Sequence, residues 1–91
     1  MDDCMGDLKD YHVGQRVEFI RDWGLAFPHF YVDKGMTGVI VFVDENCSKV
    51  DDIAFSIKAD EAIDGAEEWD NEVHVHHDYM KFIEDYIKII N

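Results

Sequence analysis

Lys34-Gly35-Met36-Thr37-Gly38-Val39-Ile40-Val41-Phe42-Val43 is the stretch on which the fold turns. Two glycines mark a turn, and the residues from Val39 to Val43 are apolar and, Phe42 apart, β-branched. Such side chains suit the pleated surface of a sheet, and a short apolar run entered from a glycine turn reads as a strand. Because no polar residue alternates within it, the run predicts a central strand covered on both faces.

Toward the C-terminus, Asp44-Glu45-Asn46-Cys47-Ser48 has turn chemistry, and Ile53, Phe55 and Ile57 then alternate with Asp52, Ala54, Ser56 and Lys58. Period-two alternation across a turn predicts a hairpin. On the other side, Gly14-Gln15-Arg16-Val17-Glu18-Phe19-Ile20 alternates in the same way and predicts a first strand. Between it and the central run, Trp23, Phe27, Phe30 and Tyr31 with the single proline, Pro28, predict a long aromatic loop. Beyond the hairpin, Val73 and Val75 alternate with His74 and His76 as a short fourth strand. Asp78 is placed to cap a helical turn, with a last strand at Tyr86–Ile90, although Tyr79, Phe82, Ile83 and Tyr86 also fit one continuous helix. The expectation is a mainly β domain of about five strands with a short helical turn near its end. It spans residues 11–91, behind an acidic arm at residues 1–10.

At 91 residues the chain suffices for one core and not for two. Hydrophobic residues at 47% argue for a folded protein despite the charge. Against 21 Asp and Glu stand 8 Lys and Arg, a formal net charge of -13. A chain that binds nucleic acid needs Lys and Arg to neutralise phosphates, so direct DNA or RNA binding is not expected, nor is an anionic membrane surface. The same field steers the protein toward a basic protein surface. Cys4 and Cys47 do not make a disulfide framework. The opening MDDCMGDLKD has neither a basic start nor an apolar run, so a cytoplasmic protein without a signal peptide is expected.

Residues 59–72 carry seven carboxylates, Asp60, Glu61, Asp64, Glu67, Glu68, Asp70 and Glu72, and no Lys or Arg. Three readings apply: solvated loop surface, a calcium cage, or an imitation of nucleic-acid charge. The spacing around Gly65 does not follow a helix-flanked calcium loop. Any single carboxylate reads as solvated surface, whereas the set as a whole, mutually repelling, favours a basic partner. His74, His76, His77 and Asp78 form the densest metal-competent group, with His74 and His76 on one strand face and Asp78 able to add an oxygen ligand, but structural zinc sites use more cysteine and four ligands. Acidic neighbours raise a thiol's pKa, which disfavours catalysis by Cys4 or Cys47. No phosphate loop, serine elbow or metalloprotease helix is present, so neither an enzyme nor a cofactor is expected. Among the aromatics, Phe27, Phe30 and Trp69 are expected inside, and Trp23 and Tyr31 exposed at a partner surface.

This order of elements resembles an SH3-like barrel. More specifically it resembles small proteins of bacteria, phages and mobile elements, through Val13-Gly14-Gln15-Arg16-Val17, Phe27-Pro28-His29-Phe30, Lys34–Ile40 and Gly65-Ala66-Glu67-Glu68-Trp69-Asp70-Asn71-Glu72-Val73. The resemblance covers roughly residues 11–76 and implies the fold rather than an activity. In size and charge alone the chain is similar to acidic phage inhibitors of host defence nucleases, the anti-CRISPR type that mimics DNA. The function expected is non-enzymatic binding to a basic surface of a host protein. The alternatives are metal binding through His74 and His76, a peptide-binding adaptor with an aromatic groove, and pairing of an exposed strand edge with a second copy.

Overall fold

A computed structural model describes residues 8–23, 32–46, 52–63, 66 and 70–90. The strands are β1 (Arg16–Phe19), β2 (Thr37–Val43), β3 (Ile53–Ala59), β4 (Glu72–His76) and β5 (Ile87–Ile89). Two 3-10 turns, His77–Tyr79 and Ile83–Asp85, stand between β4 and β5. The strands form one antiparallel sheet in the order β4-β3-β2-β1-β5. The chain therefore meanders through its first four strands, and the last returns beside the first. The sheet is not closed, because β4 and β5 are its two outer strands.

The mainly β architecture and the five strands agree with the alternation in the sequence, and so does the choice of turn and strand over a continuous C-terminal helix. Ile87 pairs with Phe19 and is buried against the core, which a helix carried through Tyr86 would not allow. Asp78 does not cap the turn. The cap position belongs to His76, no side chain bonds there, and Asp78 lies within the turn itself.

β2 departs from expectation in a way its sequence conceals. The register with β3 slips between Ile40 and Phe42, so Val41 is an extra residue and the inward phase changes across it. Gly38, Ile40 and Val43 face the core, while Val41 and Phe42 are 37% and 47% exposed, so β2 is not covered on both faces. The strand buried on both faces is β3, where Ala54 through Ile57 are all buried. A second slip, between Ile53 and Phe55, occurs where β3 meets β4.

The inward residues Val17, Phe19, Ile40, Phe55, Ile57, Val73 and Val75 form one core cluster with Trp23, Val32, Ile63, Met80 and Ile83. Tyr11 stacks on Phe55 at 4.9 Å. Burial, then the nearby Glu84 and Asp10 carboxylates, pushes the Tyr11 hydroxyl up to about 12. Leu8 belongs to the same core at 5% exposure, and its carbonyl accepts from the Tyr11 N–H at 3.0 Å. Of the segment expected to be a loose arm, Leu8 is held against the core, because its apolar side chain finds the end of the sheet to bury against, and residues 1–7 lie outside the described residues.

Gly38 is required by close approach. A Cβ there would stand 2.6 Å from the Lys58 carbonyl oxygen and 2.7 Å from Ile57 Cγ2. A backbone oxygen held in a sheet cannot move aside cheaply. Gly38→Ala is therefore expected to destabilise the fold by about 1–3 kcal/mol, the usual cost of overpacking, as read by urea denaturation. An unchanged midpoint would show that β2 and β3 can separate at this point.

Candidate acidic partner-binding surface

The described part of the acidic segment is organised by one amide. Asp70 and Asn71 both have left-handed backbone (φ 57° and 60°), a conformation that Asp and Asn tolerate better than other non-glycine residues. The tight turn aims the Asn71 side chain back at the chain that follows β3. Its Nδ2 donates to the Glu61 carbonyl at 2.7 Å and to the Ala59 carbonyl at 3.2 Å, while its Oδ1 accepts from the Ile63 N–H at 2.8 Å. Its main chain adds two bonds, accepting from Ala59 and donating to Ala66. Ile63 and Ala66 are buried beneath. Glu61 and Asp70 are exposed and Glu72 half-buried on β4, so these three carboxylates stand on a backbone held from both sides.

Asp60 behaves differently. Arg16 of β1 donates to both of its carboxylate oxygens, one at 3.0 Å, and the Thr37 hydroxyl donates at 2.6 Å. The Arg16 hydrogen bonds first, and Thr37 next, hold its carboxyl below the usual carboxylate range. The expectation of seven uncompensated charges is corrected here: Asp60 has a cationic partner 44 residues away in sequence. Asp64, Glu67 and Glu68 lie outside the described residues, as do Tyr31, Trp69, Cys4 and Cys47.

No protein-family model, curated protein or solved structure matches the chain. The site therefore rests on its own chemistry.

Trp23 is not a surface contact. It is 0% exposed, packed edge-on against Tyr86 at 5.0 Å and Tyr79 at 5.7 Å. Its backbone bridges Val32 through two hydrogen bonds of 2.8 and 2.9 Å, which draws the indole inward at the ends of the aromatic segment. What sequence reasoning missed is the aromatic patch above it. Tyr79, Phe82 and Tyr86 are half-buried, with rings 5.6 and 5.7 Å apart, and the Arg21 guanidinium lies 5.7 Å from the Tyr86 centroid. Their i, i+3 and i+4 spacing was visible, but as a helix signal.

The histidines are distributed among separate partners. Ser56 Oγ and His74 Nδ1 share a hydrogen bond of 2.8 Å across β3 and β4, the His76 ring lies 5.8 Å from Tyr79, and Asp78 is exposed on the turn. His77 Nε2 meets Asp44 at 2.9 Å, both side chains largely buried, and ties the end of β2 to the turn after β4. Among the described residues no three His, Cys, Asp or Glu side chains gather in a metal-holding group. An apolar hollow of about 280 Å³ lies between Leu8, Tyr11 and Val43, away from the acidic segment. No helix of the described residues is long and apolar enough to cross a membrane.

Proposed function

We propose that the chain is a non-enzymatic binding module on an SH3-like barrel, and that its carboxylate surface occupies the basic, nucleic-acid-binding surface of a host protein as an inhibitor. The barrel reading is supported by the meander with its 3-10 turns before a fifth strand that returns to β1. The observation that carries the function is the Asn71 clamp, which holds Glu61, Asp70 and Glu72 on an ordered backbone. Fixed like charges repel one another in the free protein, and a basic partner relieves that repulsion at Glu61, Asp70 and Glu72, whose backbone is already held. The metal reading is weakened because Ser56 engages one ring nitrogen of His74. The aromatic-groove reading loses Trp23 to the core.

The test is capture of partners from bacterial lysate on the immobilised protein, followed by titration of the recovered protein at rising ionic strength. A nucleic-acid-binding partner is expected, displaced by salt and by DNA or RNA. Joint substitution Glu61→Gln, Asp70→Asn and Glu72→Gln is expected to slow its association about tenfold or more at low salt. Affinity that is indifferent to salt and to the triple substitution would overturn the reading.

A further inference from the structure

An outer strand of an antiparallel sheet turns the N–H and C=O of alternate residues toward its partner and those of the others away. The phase in β4 follows from one bond. The Ala59 N–H donates to the Asn71 carbonyl, and Ala59 and Asn71 continue the register that pairs Lys58 with Glu72 and Ile57 with Val73. Asn71, Val73 and Val75 are thus the residues bonded to β3, and the backbone groups of Glu72 and His74 point outward. Those groups have no hydrogen-bond partner among the described residues. The only edge protection within Glu72–Val75 is the negative charge of Glu72, which does not repel a cationic segment. The stretch has no Lys or Pro, and the slip in its ladder with β3 lies at the far end, beside His76.

Charge selects the occupant. From Ala59 to Met80 the sequence contains no Lys or Arg, and Asp70 and Glu72 stand at the start of the strand. Pairing with a second copy would bring together two such strands from chains of net charge -13. β5, the other outer strand, is shorter and carries Lys88. We propose that the edge of β4 receives an extended, Lys- or Arg-bearing segment of the partner protein as a sixth strand. The proposal rests on the reading of the chain as an acidic binding module and specifies how that surface grips. Main-chain bonds to Glu72 and His74 hold the segment, and its cations lie against Glu72 and Asp70.

The probe is an eight-residue peptide of alternating Lys and Val, titrated into the whole protein at low ionic strength by fluorescence anisotropy. Amide hydrogen exchange is followed residue by residue in parallel. In the free protein the Glu72 and His74 amides are expected to exchange fast and those of Val73 and Val75 slowly. Saturation with peptide is expected to slow the first two about tenfold or more. Binding without added protection at Glu72 and His74 would overturn the strand-addition proposal and leave the acidic-surface reading standing. No binding of the peptide at low salt would overturn both. A dimer of the free protein, already protected at Glu72 and His74, would assign the edge to a second copy and overturn the proposal.

Discussion

Trp23→Ala is expected to remove about 3–5 kcal/mol of stability, the usual cost of truncating a large buried aromatic. A domain of 91 residues has roughly 5–14 kcal/mol in total, so the variant should sit close to the unfolding threshold. Three losses combine. The indole's apolar area leaves the core, the edge-on contacts with Tyr79 and Tyr86 disappear, and the half-buried patch that includes Phe82 loses its floor. Trp23→Phe separates packing from polarity. The Trp23 Nε1–H is buried without an acceptor among the described residues, so phenylalanine sheds an unpaid desolvation cost while keeping a ring. Urea denaturation should place Trp23→Phe well above Trp23→Ala. Equal losses for the two would mean that the indole's full width is indispensable.

The second large effect is expected at Asn71. Asn71→Ala removes three side-chain hydrogen bonds and puts a residue with little tolerance for left-handed backbone at φ 60°, for a loss of about 2–4 kcal/mol. Asn71→Asp is more informative about function. It keeps the acceptor for the Ile63 N–H but has no donor for the carbonyls of Ala59 and Glu61, which would then face a carboxylate. It also adds one negative charge. If partner binding depends on total charge, Asn71→Asp should bind a basic partner more tightly. If it depends on where Glu61, Asp70 and Glu72 are held, the variant should bind more weakly despite its extra charge, and weaker binding is the expected result. Affinity measured beside the melting curve, at a temperature where both proteins are folded, decides between them.

What was legible in the sequence is what depends on neighbours along the chain. Val17 and Phe19, Phe55 and Ile57, and Val73 and Val75 announce their strands by alternation, and all six are buried. The C-terminal segment was ambiguous locally because Tyr79, Phe82, Ile83 and Tyr86 satisfy a helical period. Pairing of Ile87 with Phe19, far earlier in the chain, decides in favour of a strand. The same limit hid the partner of Asp60, since nothing near it suggests Arg16. Nothing along the chain indicates which carbonyls the Asn71 amide would reach. Trp23 looked like a loop aromatic beside a glycine, and its burial depends on Val32, Tyr79 and Tyr86, none of them adjacent in sequence.

The slip at Val41 bears on how this chain can gain or lose residues. In a half-buried strand, a single deletion ordinarily exchanges the inward and outward sets beyond it. Val41 is an exception, because it is the residue that interrupts the alternation. Without it, Ile40 and Val43 still face inward with Phe42 outward between them. Ala54 is the extra residue where β3 meets β4, but it is fully buried in the core and its carbonyl accepts from the Asp44 N–H, so its loss would not be neutral. The bulge in β2 is therefore a seam in the sheet, a place where a one-codon deletion leaves the core composition intact, while the same event at Val39 would turn Ile40 outward.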